Sequence, residues 1–264
     1  MKKYLVIGNP IAHSLSPKLH NYWIEKENIN AVYKKQKLNI NEIENLITDI
    51  REKKIHGINV TLPFKKAVIP FLDQLSLEAE KTQSVNTIYL QNDKIIGHNT
   101  DIDGFKLGIK SSKFDSINKK VLILGAGGVV PSIIFALNKM KVSEITVSNR
   151  TKKKAESLKD LFENLKIVDW GNVPDFDMII NATSIGLKKT DELNLDLSKV
   201  GKNKFFYDVI YSPAETNFLK YGKKLGNKIE NGKLMFVYQA FAAFKVWHGI
   251  NPEINDKVIK LLDK

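Results

Sequence analysis

The sequence predicts an α/β protein, with an N-terminal α/β domain followed by a Rossmann-like domain. Short apolar runs alternate with amphipathic helical patterns along the chain, which is typical of sheets with largely parallel strands. The length of 264 residues exceeds one ordinary core and suits two domains. A glycine-rich turn at 125–128, between a strand and a helix, locates the dinucleotide-binding half in the second part of the chain.

The first domain is expected to cover residues 1–101. Ser16–Pro17 is predicted to open a helix, because a serine cap followed by proline is a common helix start. Apolar residues recur with helical spacing on one face of the segment 41–54. Strands are predicted at 3–8, 31–38, 57–62, 86–91 and 94–97, and two further helices between 65 and 82. A helix predicted at 102–110 begins the second domain.

The second domain is expected to cover residues 102–235. Strands are predicted at 121–124, 144–148, 177–181 and 205–210, with helices ending near Met140 and covering 152–164. The β-α-β-α-β order over 121–181 is that of a mononucleotide-binding half. The last helices, near 233–248 and 252–262, precede no strand, so residues 236–264 are predicted to pack back on the first domain.

Composition excludes several classes of protein. The chain has no cysteine, so it contains neither disulfides nor thiolate metal sites. No apolar run approaches the roughly 20 residues that span a bilayer, which predicts no membrane partner. The short apolar stretch after the N-terminal lysines is interpreted as a first strand and not as a signal peptide. A cytoplasmic protein is therefore expected.

The formal charge of +12 allows two interpretations. A basic surface attracts nucleic acid or anionic ligands, whereas a lysine-rich composition alone gives the same number. The lysines are spread along the whole chain, and no long basic run interleaved with aromatic residues occurs. The distribution favours compositional bias together with an anionic small molecule, and it predicts no nucleic-acid partner.

The glycine turn Gly125-Ala126-Gly127-Gly128 follows a buried strand and opens a helix. Glycines let the backbone approach a pyrophosphate, whose charge a helix N-terminus stabilises. Val130 occupies the third glycine position of G-x-G-x-x-G, so the usual fingerprint is incomplete. A tight turn without a ligand remains an alternative from this motif alone.

Residues 149–154 predict NADP as the cofactor. NAD sites usually have an acidic residue after the second strand, where NADP sites have arginine. This segment contains Asn149-Arg150-Thr151 and then three lysines, with no acid. Three lysines at a helix start oppose the helix dipole, which indicates an anion nearby, although solvated lysines are the plainer alternative.

Several polar residues in the first and last segments are candidates for a functional site. Lys65 follows Pro63-Phe64 near a strand end, and its alternative role is a solvated surface charge. Asp101 precedes a predicted helix, where it would equally serve as an N-cap. Gln239 interrupts an apolar helix, so its amide needs a substrate or backbone partner. The five histidines show no metal-ligand spacing, and no metal is predicted.

Nine segments, in this order, resemble the shikimate dehydrogenase family: GNPIAHSLSPKLHN, NVTLPFK, VNT, GHNTDIDG, GAGG, NRT, NATSIG, DVIYSPAET and NGKLMFVYQAFAAF. The resemblance implies that Lys65 and Asp101 are the catalytic pair. It implies substrate contacts from Ser14, Ser16, Thr61, Asn86, Tyr211 and Gln239. It implies cofactor contacts from Gly125, Ala126, Gly127, Gly128, Val129, Asn149, Arg150, Thr151, Lys154, Thr183, Val209, Gly232 and Met235. Two departures from the family pattern are Val129-Val130-Pro131 after the glycines and Leu187, where methionine is common.

The resemblance implies NADP-linked interconversion of shikimate and 3-dehydroshikimate in aromatic amino-acid (chorismate) biosynthesis, by a monomer or a homodimer. A quinate/shikimate dehydrogenase with relaxed polyol or cofactor choice is one alternative. A non-catalytic sensor of shikimate-like ligands is the other, and it would be expected to lack Lys65 or Asp101. Both residues are present.

Overall fold

The computed structural model describes residues 1–263 and divides into two compact units. The first unit joins Met1–Gly104 to the segment that begins at Phe236, so it takes its chain from both ends of the sequence. The second unit is Phe105–Met235. Each unit contains a six-stranded sheet.

The first unit is a mixed sheet with helices on both faces. Its elements, in chain order, are β1 (Lys2–Gly8), α1 (Ser16–Lys26), β2 (Ala31–Lys37), α2 (Ile43–Arg51), β3 (Gly57–Val60), β4 (Gln74–Leu75), α3 (Leu77–Thr82), β5 (Thr87–Gln91) and β6 (Lys94–His98). The strand order is β2-β1-β3-β5-β6-β4. Strands β1, β2 and β3 are parallel, and the predicted hairpin of β5 and β6 is antiparallel.

Helix α4 (Asp101–Ser111) leads into the second unit, whose elements are β7 (Lys120–Leu124), α5 (Val130–Lys139), β8 (Glu144–Ser148), α6 (Lys152–Glu156), β9 (Leu165–Val168), β10 (Met178–Asn181), β11 (Phe205–Asp208), α7 (Asn217–Lys224) and β12 (Lys228–Glu230). Every strand pair in this sheet is parallel, in the order β12-β11-β10-β7-β8-β9. The order reverses between β7 and β10, and ligands bind at the carboxyl ends of strands at such a switch point.

Helices α8 (Lys233–His248) and α9 (Asp256–Lys260) end the chain. Alternation along β1 explains where they pack, since successive side chains of a strand point to opposite faces. Leu5 and Ile7 join one core with α2, while Tyr4 and Val6 join a second core with α1, α8 and α9. The predicted return of the last helices to the first domain is confirmed.

Several predicted elements need correction. The helix predicted at 152–164 ends at Glu156, continues as a 3₁₀ turn at Ser157–Asp160 and gives way to β9. The third strand of the mononucleotide half is therefore β9 and not the segment 177–181. Helix α1 has Leu15 as its N-cap residue, without a side-chain cap bond, so Ser16 is not the cap. Strands β4 and β12 and helix α7 were not predicted.

Among the residues that the structure describes, none of the helices has the length and apolar character that a membrane span requires.

Candidate active site

Lys65 and Asp101 form a close ion pair in the first unit. Lys65 Nζ lies 2.5 Å from Asp101 Oδ2, and the two side chains are 12% and 9% exposed. The main chain holds both residues in place, because Val85 N donates to Lys65 O and Asp101 N donates to Asn99 Oδ1. Asp101 is the first residue of α4, with its carboxylate on Lys65, so the alternative of a simple N-cap is wrong.

Asn86 occupies the other oxygen of the same carboxylate. Asn86 Nδ2 donates to Asp101 Oδ1 over 3.0 Å, and its own Oδ1 accepts from Thr100 N over 2.7 Å. A backbone nitrogen can only donate, so the orientation of the Asn86 amide is fixed. The predicted residues Lys65, Asn86 and Asp101 therefore form one connected polar cluster.

The serine loop lies in the same unit, at the start of α1. Ser14 Oγ accepts a hydrogen bond of 3.3 Å from Ser16 N, and the Ser16 side chain is buried. Thr61 directly follows β3, and Thr61 N donates to Ile7 O. A Cβ at Gly8 would come within 2.6 Å of Thr61 Cγ2, so the glycine leaves room for this threonine.

Gln239 has a backbone partner in its own helix. Its Nε2 donates to Phe236 O over 2.9 Å. The sequence predicted either a substrate or a backbone partner for this amide, and the structure shows the backbone partner. Contact of Gln239 with a substrate hydroxyl stays a prediction.

The glycine turn of the second unit connects β7 to α5. Gly125 has a φ of +110°, and a Cβ there would come within 2.9 Å of Ala182 O. Gly127 is exposed, and a Cβ there would meet nothing closer than 4.0 Å. Val130, which departs from the glycine fingerprint, is fully buried beneath the turn. The main chain of the turn is thus accessible at Gly127, although valine occupies the position of the third glycine.

Arg150 follows β8 and is exposed, and among residues 1–263 it has no hydrogen bond or ion pair. Thr151 is the N-cap residue of α6, and Asn149 Nδ2 donates to its carbonyl oxygen. Lys152 forms an ion pair of 2.9 Å with Asp169, just after β9. The sequence analysis missed this acid because it missed the strand before it. Arg150 and Lys154 keep free charges within the described chain.

A buried carboxylate links the carboxyl ends of β10 and β11. Asp208 accepts from Thr216 Oγ1 over 2.6 Å, from Ile210 N over 2.9 Å and from Asn181 Nδ2 over 3.2 Å. Burial raises the pKa of Asp208 to about 6, against the opposing effect of these hydrogen bonds. Thr183 Oγ1 donates to Asn181 Oδ1, so the predicted cofactor residue Thr183 belongs to the same network. Sequence reasoning missed Asp208, whose signal is an acid within a buried strand.

The remaining predicted residues of the second unit lie after β11 and β12. Val209 N donates to Asn181 O, and a Cβ at Gly232 would come within 2.1 Å of Val209 O. The Met235 side chain is buried. The Tyr211 hydroxyl is largely buried as well, which raises its pKa. Within residues 1–263 no group of histidine and acidic side chains has metal-binding geometry.

Comparisons with known proteins agree on one family. A family model described as the shikimate dehydrogenase substrate binding domain matches residues 6–88, and one described as shikimate / quinate 5-dehydrogenase matches residues 109–204. The NADP(+) shikimate dehydrogenase of Pelagibacter ubique is 61% identical over 262 residues, which cover 99% of each chain.

Solved structures give the same picture. Shikimate dehydrogenase from Aquifex aeolicus has a TM-score of 0.90 and 36% identity, covering 100% of this chain and 98% of its own. Shikimate 5-dehydrogenase from Thermus thermophilus, crystallised with NADP(H) and shikimate, has a TM-score of 0.89 and 30% identity, covering 98% of this chain and 97% of its own.

Proposed function

The chain belongs to the shikimate dehydrogenase family, and on this premise we propose that it catalyses the reversible, NADP-linked oxidation of shikimate, with 3-dehydroshikimate as the substrate for reduction. The observation that carries the proposal is the Lys65–Asp101 pair. An ammonium and a carboxylate 2.5 Å apart, both nearly buried and one held by Asn86, are suited to proton transfer at a hydroxyl.

The residues of the second unit fit NADP. The main chain at Gly127 is exposed and no side chain lies within 4 Å of a Cβ position there, which suits a pyrophosphate at the start of α5. Within residues 1–263 the exposed Arg150 guanidinium has no protein partner, and such a group forms paired hydrogen bonds to a phosphate. We assign the 2′-phosphate to Arg150 and Lys154. Thr183, Val209, Gly232 and Met235 are assigned to the nicotinamide side.

Oxidation of a secondary alcohol removes a hydride from carbon and a proton from oxygen. NADP, when bound, supplies the hydride acceptor. The Asp101 carboxylate accepts a hydrogen bond from the reacting hydroxyl, and the Lys65 ammonium stabilises the negative charge that develops on its oxygen. In oxidation the pair takes up the hydroxyl proton, so that the carboxylate becomes a carboxylic acid beside the ammonium, and in reduction it returns this proton to the same oxygen. Ser14 and Ser16 are assigned to the substrate carboxylate, with Thr61 and Gln239 on its hydroxyls.

The test is the change in nicotinamide absorbance when the purified protein is mixed with shikimate and NADP. We expect turnover with this pair to exceed turnover with quinate or with NAD. Comparable kcat/KM values for quinate, or for NAD, would instead identify a relaxed quinate/shikimate dehydrogenase. Calorimetric binding of shikimate without any turnover would identify a sensor and contradict the proposed activity.

Compartment, assembly and domain limits stay predictions. We propose a cytoplasmic enzyme that is a monomer or a homodimer, with a substrate domain at 1–101, a cofactor domain at 102–235 and returning helices at 236–264. Light scattering on the purified protein decides between one copy and two.

A further inference from the structure

The Asn86 amide that holds Asp101 is itself held by a buried group. Thr87 Oγ1 donates to Asn86 Oδ1 over 3.0 Å. Asn59, on β3, donates from Nδ2 both to Thr87 Oγ1 and to the Asn86 carbonyl oxygen, over 3.1 Å each. Asn59, Thr87 and Asn86 are at most 6% exposed, so water does not substitute for these bonds. The hydrogen bonds that hold the Asp101 carboxylate therefore extend beyond the predicted site residues to Thr87 and Asn59.

The chain of hydrogen bonds begins at Tyr33. Its hydroxyl donates to Asn59 Oδ1 over 2.7 Å. The direction of this bond follows from geometry, because Asn59 Nδ2 faces a backbone carbonyl and Oδ1 must face the tyrosine. Burial raises the pKa of the Tyr33 hydroxyl well above its usual range, while a hydrogen bond with Ser16 opposes the shift. Tyr33 therefore stays protonated and remains a donor.

Every bond in this chain has its donor on the side away from Asp101. Tyr33 donates to Asn59, Asn59 to Thr87, Thr87 to Asn86, and Asn86 to the carboxylate. Bonds aligned in one direction polarise one another in a low-dielectric interior, and the polarisation favours negative charge at the accepting end. The chain thus both fixes the Asn86 amide and stabilises the Asp101 charge.

Packing alone does not explain a tyrosine at position 33. Within the edge strand β2 only Tyr33 is buried, and its ring stacks on His20 with 4.2 Å between centroids and an interplanar angle of 2°. A phenylalanine ring would stack equally well. The hydroxyl adds a polar atom to an aromatic core, which requires partners. These partners are Ser16 and Asn59, and the Asn59 branch leads to Asp101.

We propose that Tyr33 and Asn59 are positioning residues for catalysis: they act through Thr87 and Asn86 to hold the Asp101 carboxylate against Lys65. The proposal rests on the proposed function for the identity of the substrate. It assigns no substrate contact to Tyr33 or Asn59.

Tyr33→Phe tests the proposal, with Tyr4→Phe as a matched control. Tyr4 is the register partner of Tyr33 on β1 and is buried in the same aromatic core, but its hydroxyl has no hydrogen-bond partner among residues 1–263. We expect Tyr33→Phe to lower kcat/KM for shikimate by roughly five- to tenfold, the effect of one buried hydrogen bond. The KM for NADP should change less than about twofold, and Tyr4→Phe should resemble the wild type.

A double variant separates positioning from a general loss of packing. Thr87→Val removes the side-chain link from Asn59 to the Asn86 amide and leaves only the Asn59 bond to the Asn86 carbonyl oxygen. Adding Tyr33→Phe to it should therefore lower kcat/KM little further. Multiplying losses, or equal kcat/KM for Tyr33→Phe and Tyr4→Phe, would overturn the proposal. Calorimetric titration of each single variant with shikimate gives a second readout. If the wild type binds shikimate without turnover, the proposed function fails, and binding then tests the chain by itself. A loss of affinity that Tyr33→Phe shares with Thr87→Val supports the chain, whereas a loss confined to Tyr33→Phe would place the effect at Ser16 and overturn the proposal.

Discussion

At the scale of single residues, the nearly buried Lys65–Asp101 ion pair is expected to contribute more to catalysis than to the folding stability of the protein. Two charged groups that are only about one-tenth exposed lose most of their hydration, and their mutual attraction offsets that loss only with further hydrogen bonds. Asn86 supplies one such bond to Asp101. The pair therefore keeps an ammonium and a carboxylate fixed beside each other in a protected place.

Removing the lysine should affect the chemical step and leave binding largely intact. Lys65→Met is expected to lower kcat by about 10²–10⁴, the range for a positioned acid–base group. The KM for shikimate should change little, because the charge on oxygen develops only in the transition state. Steady-state kinetics on folded protein measure both constants. Lys66→Met, at the exposed neighbouring lysine, is the control. Near-wild-type kcat in Lys65→Met would exclude the catalytic assignment.

Cofactor choice is expected to depend on Arg150. Arg150→Ala should weaken NADP binding by roughly 1.5–3 kcal/mol, the loss of a charged hydrogen bond, and should weaken NAD far less. Lys152→Ala is the matched control, since Lys152 is also exposed but is neutralised by Asp169. The ratio of KM values for the two cofactors measures the effect. Equal losses for both cofactors would mean that Arg150 does not contact the 2′-phosphate.

At the residue level, a local pattern predicted the place of Arg150: it follows strand β8 and is exposed, without a hydrogen bond or ion pair among residues 1–263. Its contact with a 2′-phosphate stays a prediction. The meeting of Lys65 with Asp101, 36 positions apart, does not follow from spacing, because tertiary structure brings the two together. The chain behind Asn86 was missed for the same reason, whereas Asp169 was missed because the strand before it, β9, was not predicted.

At the scale of elements, hydrogen bonds to one buried carboxylate, that of Asp208, connect the carboxyl ends of β10 and β11. The Asp208 carboxylate accepts hydrogen bonds from Asn181, Ile210 and Thr216. These bonds hold the loops that follow both strands. Gly232, after β12, allows its main chain to approach Val209 O. The predicted cofactor residues Thr183 and Val209 are hydrogen-bonded into this arrangement through Asn181.

Gly232→Ala should disturb that arrangement. Its Cβ would lie 2.1 Å from Val209 O, so one of the two segments must move. We expect a clear rise in the KM for NADP and a lower melting temperature, because overpacking typically costs about 1–3 kcal/mol. Gly201→Ala, where a Cβ would meet nothing within 4 Å, is the matched control. Unchanged kinetics in Gly232→Ala would show that the Val209 segment does not bind the cofactor.

Element prediction succeeded for most segments with a clear apolar pattern, but it missed helix α7 and the short strands β4, β9 and β12. The apolar face of α2, at Ile43, Leu46, Ile47 and Ile50, is buried as its spacing predicted. Strand β8 has the predicted limits, Glu144–Ser148. Strand β9 covers four residues and β4 only two, too few for a period of two to stand out beside a helical pattern. Neighbouring strands define these elements.

At the scale of the whole molecule, buried histidine limits the acid stability of a chain with a formal charge of +12. Burial lowers the pKa of His20 to about 3, and the nearby His248 adds to the shift. Among the described residues, His20 Nε2 has no hydrogen-bond partner. A charge on His20 would therefore be unpaired between the rings of Tyr33 and Trp23.

His20→Phe should raise the stability of the protein in acid. The folded pKa of His20 lies below its unfolded value of 6.5, so its contribution is present above pH 6.5 and is lost as pH falls toward 3. At pH 5 the loss is about 2 kcal/mol, from 1.36 kcal/mol per pKa unit. Phenylalanine keeps the stack on Tyr33 and takes up no proton. Urea unfolding at pH 7 and pH 5 should therefore show the advantage of His20→Phe over the wild type growing by about that amount. Tyr33→Phe is the control, because its hydroxyl does not titrate in this range and its stability difference should be equal at both pH values. An advantage of His20→Phe that does not change with pH would mean that His20 becomes protonated in the folded state without penalty.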